Sequence, residues 1–213
     1  KEIILVGERY IKPQSYKVFR LNLNALYSLF ADVPMEFSSD ALSKVRIISI
    51  PMPDGSFQKF QFVESPVMSP ELARKAPETR TFLGYGIDDE YATIRFDFTP
   101  HGFHAMILSP NGRVFIDPYS QGDLENYITY YSRDYRNPNK FAECQLEALE
   151  DRVAEMNYLM KDFQKTKIGP QLRTYRLALA CTGEYATFHG GTVPLVRAAM
   201  VTSVNRVVGV YEK

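Results

Sequence analysis

Three consecutive strand-like stretches lie between residues 91 and 119, and the first alternates apolar and polar side chains. This pattern constrains the fold more than any other feature. The stretches read YATIRFDF, GFHAMIL and RVFIDPY, and the turn-forming tetrapeptides TPHG and SPNG separate them. In the first stretch Ile94 and Phe96 point to one side while Arg95 and Asp97 point to the other, which is the period of a half-solvated strand. The sequence therefore predicts an antiparallel meander with solvent on its polar face.

Further strands and two short helices are predicted around this meander. The stretch VRIISIPMPDGSFQKFQFVE contains a PDGS turn between two strand-like runs, which is typical of a hairpin, and ENYITYYSRDY predicts one more strand. One helix is expected between a cap at Asn22 and a stop at Pro34, and a second is expected after the cap Ser69. The predicted fold class is α+β, with an antiparallel β-sandwich or barrel over residues 1–136.

Composition limits the classes of partner. The 213 residues are 45% hydrophobic, which is enough for a core, and 25 basic residues balance 25 acidic ones. A net charge of zero gives no long-range attraction to nucleic acid or to an anionic membrane, and no apolar run predicts a membrane span. The start of the sequence lacks the pattern of a signal peptide, so the protein is either cytosolic or has already lost its leader.

The sequence changes character after the meander. Residues 137–171 are polar and charged, with little alternation, and predict a partly helical linker. TYRLALA then predicts a strand buried on both faces, and a long helix is expected after Thr192 with an apolar face made of Val193, Val196, Met200, Val204 and Val207. Leaving that face uncovered would cost on the order of 10 kcal/mol. The upstream β domain could cover it, but a strand buried on both faces needs parallel neighbours, and none follows in this sequence. We therefore expect further polypeptide, or a second chain, to cover the face.

Two long stretches resemble a known family. TYRLALACTGEYATFHGGTVPLVRAAMVTSVNRVVGVYEK is similar to the start of the catalytic domain of bacterial reprolysin-like zinc metallopeptidases, which are adamalysin-related members of the metzincin clan. TRTFLGYGIDDEYATIRFDFTPHGFHAMILSPNGRVFIDPY resembles their pro-region. The resemblance implies a secreted zymogen in which residues 1–136 are the pro-domain, residues 137–171 cover the cleft, and residues 172–213 supply the first strand and helix of the catalytic domain.

The resemblance also implies what this chain lacks. The zinc motif of the family, H-E-x-x-H-x-x-G-x-x-H, is absent, because the only histidines are His101, His104 and His189. We therefore expect no catalytic residue in this chain and no peptidase activity of its own. Zinc is implied for the full-length enzyme and not for this chain alone. The implied role is inhibition and folding assistance, and the implied partner is the remainder of its own catalytic domain.

One cysteine is a candidate zinc ligand by resemblance. Cys144 lies where related zymogens carry a thiolate that occupies the fourth zinc position, and thiolate suits zinc. The residue after it is not the glycine of the adamalysin motif, so a structural cysteine or a disulfide with Cys181 remains open, as does a zinc contact by Asp134 or Glu143. Cys181, within LALACTG, is expected to be a small buried side chain.

The histidines favour structural roles over chemical ones. His101 and His104 are three residues apart, so in an extended chain they face opposite sides of the sheet, which argues against a metal pair. Glu184 and His189 suggest an acid/base pair, and hence a hydrolase, but no nucleophile motif accompanies them. A connection between the predicted strand and helix explains the latter two residues better.

An acidic loop and a tyrosine cluster carry the remaining alternatives. The acids Asp88, Asp89 and Glu90 suggest a cation, although such a loop is usually solvated. An aromatic platform is one interpretation of the tyrosines and a half-buried strand is the other; the residues are Tyr127, Tyr130, Tyr131 and Tyr135. From these features the alternative function is a free-standing extracellular β-module that binds a glycan or an apolar ligand on the tyrosine strand or inside a barrel.

Overall fold

The computed structural model describes residues 3–41, 43–135 and 176–212. Within these ranges the chain forms eight strands: β1 (Lys17–Arg20), β2 (Arg46–Pro51), β3 (Phe57–Glu64), β4 (Arg80–Gly86), β5 (Thr93–Thr99), β6 (Gly102–Ser109), β7 (Gly112–Pro118) and β8 (Asn126–Tyr131). The described helices are α1 (Leu23–Phe30), α2 (Pro70–Arg74), α3 (Gly183–Phe188) and α4 (Val193–Tyr211), and a 3-10 turn covers Ser132–Asp134.

The strands form one antiparallel sheet in the order β1-β8-β7-β6-β5-β4-β3-β2. Strands β2 to β8 follow one another as a meander, and β1 closes the far edge by pairing with β8. The sheet is curled, as shown by the edge-on contact between Phe19 of β1 and Phe57 of β3, whose ring centroids are 5.7 Å apart. The predicted meander is confirmed. The sheet is a single curled layer and not a sandwich of two sheets.

Phenylalanine side chains and helix α1 fill the concave side of the sheet. Phe30 of α1 stacks on Phe82 with 4.4 Å between centroids, and Phe82 stacks on Phe96 of the next strand at 4.8 Å. Phe62 adds an edge-to-face contact to Phe96 at 5.1 Å. Such aromatic contacts add to the hydrophobic stabilisation from burial. The inside of the curled sheet is therefore a packed core.

Local sequence signals place the short elements where they were predicted. Asn22 caps α1 by accepting a hydrogen bond from the Ala25 N–H at 3.1 Å, and Ser69 caps α2 through the Leu72 N–H at 3.4 Å. In the β2–β3 turn, Gly55 has a φ of 93°, a conformation that favours glycine. Capping and turn chemistry are local interactions, so the sequence alone is enough to locate them.

The predicted buried strand before α3 is wrong for the part that the structure describes. Residues 176–180 form no regular secondary structure, and Leu177 and Leu179 are 70% and 51% exposed. A strand needs a hydrogen-bonding neighbour, and among the described residues none pairs with this segment. Apolar composition alone therefore does not make it a strand here. The predicted linker over residues 137–171 lies outside the described residues.

The predicted long helix is confirmed as α4, and it contacts the sheet through a face other than the predicted apolar one. Its buried residues are Ala198, Ala199, Val201, Thr202, Asn205 and Gly209. The helix packs on β5 and β6, and residues 181–213 form one compact unit with residues 1–136. Its length and mean hydropathy of 1.3 would also allow it to cross a membrane, with 39% of that window buried.

Candidate functional site

The face of the sheet under helix α4 carries charged side chains that are almost completely buried. Arg95 and Asp97 of β5 are 3% and 1% exposed, and Asp117 of β7 is 2% exposed. The sequence pattern predicts solvent on this face, and that prediction is wrong because α4 covers it. Burying a charge is costly unless the charge is paired and hydrogen-bonded. Each of these three residues must therefore have partners.

Asp97 receives donors from the helix and from the neighbouring strand. Thr202 Oγ1 donates to Asp97 Oδ1 at 2.8 Å, and Asn205 Nδ2 donates to Asp97 Oδ2 at 3.3 Å. From β6, His104 Nδ1 lies 3.1 Å from Asp97 Oδ1 and donates to it. One buried carboxylate thus binds two residues of α4 and orients one imidazole.

Asp117 makes a second cluster one strand away. Arg206 Nη2 donates to Asp117 Oδ1 at 2.6 Å, and the Tyr130 hydroxyl donates to Asp117 Oδ2 at 2.8 Å. Burial and the adjacent carboxylate raise the pKa of the Tyr130 phenol, so that it keeps its proton and acts as a donor. The Arg206 guanidinium also lies over the Phe115 ring, 5.0 Å from its centroid.

Arg95 makes a third cluster near the end of α4. Its Nε donates to Glu212 Oε2 at 2.9 Å, its Nη2 contacts both Glu212 oxygens, and its Nη1 donates to Ser65 Oγ at 2.8 Å. Gly209 lets the helix approach, because a Cβ at this position would lie 2.8 Å from Arg95 Cγ. We call the three clusters the polar seam; its members are Arg95, Asp97, Asp117, Thr202, Asn205, Arg206 and Glu212.

The sequence contained a signal for the seam that the apolar pattern concealed. Thr202, Asn205, Arg206 and Gly209 recur at spacings of three and four residues, which places them on one side of a helix. In a valine-rich helix such a stripe of polar and small residues is unusual. The stripe indicates a polar partner rather than solvent. Which sheet residues meet it does not follow from the sequence.

The opposite side of α4 carries larger apolar side chains that remain exposed or half-exposed. Val193, Val207 and Tyr211 are 76%, 53% and 85% exposed. Together with three half-exposed residues they recur at helical spacing and form what we call the outer stripe, made of Val193, Val196, Met200, Val204, Val207 and Tyr211. With 3.6 residues per turn, this stripe lies on the side of the helix that faces away from Thr202 and Asn205. The sheet therefore does not cover the predicted apolar face.

A groove of about 310 Å³ opens beside the seam, and all three histidines of the chain line it. Its walls come from the N-terminal segment, the turn before β6, the loop after β7, and helices α3 and α4; they include Tyr10, Tyr119, Tyr185, Phe188 and Arg206. The positions of the histidines in the sequence do not predict that all three lie together. The structure brings them together.

Two of these histidines contact each other at the start of α4. His101 Nε2 lies 2.8 Å from the Leu195 carbonyl oxygen and donates to it, since a carbonyl only accepts. The His189 ring lies 5.7 Å from the His101 ring between centroids and 4.4 Å from the Tyr185 ring. Burial lowers the pKa of both His101 and His189. For His101 the hydrogen bond to the Leu195 carbonyl opposes this shift, and for His189 the nearby imidazoles add to it.

The prediction that His101 and His104 face opposite sides of the sheet is wrong. His104 lies on β6, but His101 lies in the turn before it, where Gly102 has a φ of 103°. The alternation rule applies only to extended chain, and this turn rotates His101 to the side on which His104 lies. Both residues line the groove.

No metal site is found in the described part of the chain, where no three His, Cys, Asp or Glu side chains have a suitable arrangement. Asp88 accepts a hydrogen bond from the Lys59 N–H at 2.7 Å, and Asp89 accepts one from the Tyr91 N–H at 3.0 Å, so both shape a loop.

Cys144, the candidate zinc ligand, lies outside the described residues, and so does Glu143. Cys181 is exposed, which contradicts the predicted buried position.

The remaining predicted residues have structural positions. Glu184 lies in the first turn of α3, a helix that Thr182 caps by accepting from the Tyr185 N–H at 3.3 Å, and His189 follows the end of that helix.

Tyr127 and Tyr130 are 4% exposed each, so they are not an aromatic platform. Burial raises the pKa of Tyr127 to about 12. Asp134 lies in the 3-10 turn after β8.

Comparison of the chain with family models, with curated proteins and with solved structures gives no match. The reprolysin-like resemblance therefore stays a prediction, and the function must be argued from the seam, the outer stripe and the groove.

Proposed function

We propose that this chain is the inhibitory and folding-assisting propeptide region of a secreted zinc metalloendopeptidase zymogen, together with the opening of its catalytic domain. In this proposal residues 1–136 form the pro-domain, residues 137–171 cover the cleft, and α4 is the first long helix of the enzyme. The observation that supports it best is the two-faced character of α4. One face is held by the seam, and the other presents the outer stripe, whose side chains the described residues leave exposed or half-exposed.

The polar character of the seam suits a pro-domain that must later separate. Domain interfaces of this kind are more polar than protein cores, and their contacts can be exchanged for water. Asp97, Asp117 and Arg95 hold α4 through hydrogen bonds and ion pairs, whereas the phenylalanine core lies on the other side of the sheet. Removing the helix from the sheet would expose the seam and leave that core intact.

The outer stripe suits the opposite requirement, which is permanent burial within the enzyme. Exposed valine, methionine and tyrosine side chains at helical spacing are typical of a helix that packs on a second layer. The proposed partner for this face is the remainder of the chain's own catalytic domain. The proposal thereby gives each face of α4 its own partner.

The described residues do not fit the catalytic zinc of such an enzyme. His101 Nε2 is used by the Leu195 carbonyl and His104 Nδ1 by Asp97, and no suitable cluster exists in the described ranges. No catalytic step is therefore assigned to this chain. Its proposed contribution is to bind the first helix, keep its orientation during folding, and block the cleft until removal.

The precursor provides the test. We would express the protein with whatever sequence its gene encodes after Lys213 and measure chelator-sensitive peptide hydrolysis before and after removal of residues 1–171, which include the segment proposed to cover the cleft. Activity should appear only after removal, and the 213-residue chain should be inactive. An Asp97→Ala precursor should show premature activity or a lower folding yield, whereas the exposed Glu90→Ala control should not. A gene without an H-E-x-x-H motif after residue 213, or peptidase activity in this chain, would contradict the proposal.

A second candidate function rests on the groove. The concave side of the sheet is filled, so an apolar ligand has no site there, but Tyr10 and Phe188 on the groove wall are 44% and 47% exposed. Exposed rings at a groove favour glycan binding by a free-standing β-module. Glycan-array binding that is lost in Tyr10→Ala and Phe188→Ala would support this function, and no binding at all would reject it.

A further inference from the structure

We propose that His101 and His189 form an acid-sensitive latch, which holds helices α3 and α4 on the sheet at neutral pH and releases them when both imidazoles are protonated. This inference goes beyond the proposed function, because it concerns the attachment of the helices whatever the longer protein does. It rests on where the two rings lie and on which charges surround them.

His101 fastens the first turn of α4 to the sheet. It lies in the turn between β5 and β6, and its Nε2–H donates to the Leu195 carbonyl oxygen at 2.8 Å. That carbonyl belongs to the third residue of α4. In the neutral ring Nε2 carries the single proton, so Nδ1 is bare, and acid adds the second proton there. The hydrogen bond itself survives protonation, and any release must come from charge.

His189 supplies the second charge from the helical side. It follows the end of α3, where its ring packs on Tyr185 at 4.4 Å and on Phe188 at 4.9 Å between centroids. The His101 ring lies 5.7 Å away. Two imidazolium ions at this separation repel each other, and more strongly when partly shielded from water. The repulsion acts directly between the sheet and the helical segment.

The surrounding groups offer little compensation. From β6, His104 faces both rings and adds a third positive charge when protonated, although Asp97 accepts its Nδ1–H. From α4, Arg206 is already paired with Asp117. The N-terminal segment and the loop after β7 contribute the phenols Tyr10 and Tyr119, and α3 contributes the phenol of Tyr185. Within the described ranges, no carboxylate forms a hydrogen bond or ion pair with His101 or His189.

The direction of the effect follows from linkage. Burial lowers the pKa of both histidines below the ordinary value of 6.5. The docked state therefore binds fewer protons than the released state in the interval below pH 6.5, so docking is strongest above that pH and weakens as the pH falls. Each histidine changes the equilibrium constant between the docked and released states by at most about tenfold per pH unit.

Hydrogen exchange on the intact 213-residue chain tests the latch. Protection factors, which remove the intrinsic pH dependence of exchange, would be measured for peptides from α4 and from β5–β6 between about pH 7.5 and about pH 5.5. We expect protection of α4 to fall several-fold over this range while that of the sheet is kept. Unchanged α4 protection across the range would overturn the proposal.

A double variant supplies the matched control. His101→Gln keeps an N–H donor for the Leu195 carbonyl, and His189→Phe keeps a ring against Tyr185, but neither side chain titrates. In the double variant the fall in α4 protection should disappear; a fall equal to that of the wild type would refute the latch. As a measurement that does not depend on how the variant folds, the wild-type imidazole signals would also be titrated by NMR. If either histidine titrates at or above pH 6.5, the latch is wrong.

The test separates this inference from the proposed function. It needs no enzyme activity, no zinc and no sequence beyond Lys213. A latch that fails leaves the pro-domain proposal standing, and a precursor without peptidase activity leaves the latch standing.

Discussion

Thr202 of helix α4 donates a hydrogen bond to Asp97 of strand β5 at 2.8 Å, although 105 residues separate the two in the sequence. Asp97 is 1% exposed, and Asn205 and His104 also donate to it. This buried carboxylate, together with Asp117 and Arg95, therefore holds the polar face of α4 against the sheet. Because this polar face lies against the sheet, the outer stripe lies on the side of the helix that faces away from the sheet.

Replacing Asp97 with alanine should strongly destabilise the fold. The change removes the acceptor for Thr202, Asn205 and His104 and leaves buried donors without a partner. Losing one member of a buried charged network costs about 3–5 kcal/mol. Urea unfolding followed by circular dichroism measures the loss. Glu90→Ala, at an exposed position, is the control and should change stability by less than about 0.5 kcal/mol.

Adding a methyl group at Gly209 should push α4 away from the sheet. A Cβ there would lie 2.8 Å from Arg95 Cγ and 3.1 Å from Met106 Cε. We expect Gly209→Ala to cost about 1–3 kcal/mol through overpacking. The matched control is Gly183→Ala, since a Cβ at Gly183 meets no atom within 4 Å. That helical substitution should be neutral or stabilise by about 0.5–1 kcal/mol, and an equal loss for both variants would contradict the close approach.

Much of the sheet could be predicted because its signals are local. Alternation in YATIRFDF identifies β5, and capping by Asn22 and the φ of Gly55 follow from the residues beside them. Packing at long range could not be predicted. The sequence shows that α4 has a valine stripe, but not that buried Arg95 and Asp97 outcompete it for the sheet.

The contact between the two histidines of the candidate site could not be predicted from the sequence, for a related reason. His101 and His189 are far apart in the sequence, and their rings meet only because the turn before β6 and the end of α3 lie side by side. The segment at Leu177 and Leu179 shows the opposite failure, in which apolar composition predicts burial that the described structure does not show. Composition and period describe what a segment can form, whereas its partners decide what it does form.

The exposure of the outer stripe can be tested by comparing the stability cost of substitutions at two valines of α4. Val207 is 53% exposed on the outer stripe, and Val201 is 5% exposed against the sheet. Val207→Thr should change stability by less than about 0.5 kcal/mol, while Val201→Thr should cost about 1–3 kcal/mol by burying a hydroxyl. Both are measured by urea unfolding. Equal costs would mean that the stripe is already covered in this chain, which would remove the main support for the proposed function.

Alkaline pH should destabilise the protein through its buried phenols. Burial raises the pKa of Tyr127 to about 12, whereas the ordinary value is 10.0, so the folded state holds this proton more tightly than the unfolded state. By linkage, this contribution to stability is complete below pH 10 and is lost as the pH rises toward about 12. Urea unfolding at a series of pH values measures the slope, and the near-ultraviolet absorbance of phenolate reports the titration.

Tyr127→Phe isolates the contribution of this phenol to the alkaline loss. The variant loses hydrogen bonds with Leu124 and Phe103 and is therefore expected to be less stable at neutral pH. Its stability should nevertheless decline less steeply above pH 10, because one proton fewer distinguishes the folded from the unfolded state. Tyr85→Phe, at a half-exposed position, is the control and should keep the wild-type slope. A Tyr127→Phe slope equal to that of the wild type would show that the Tyr127 phenol titrates normally in the folded protein.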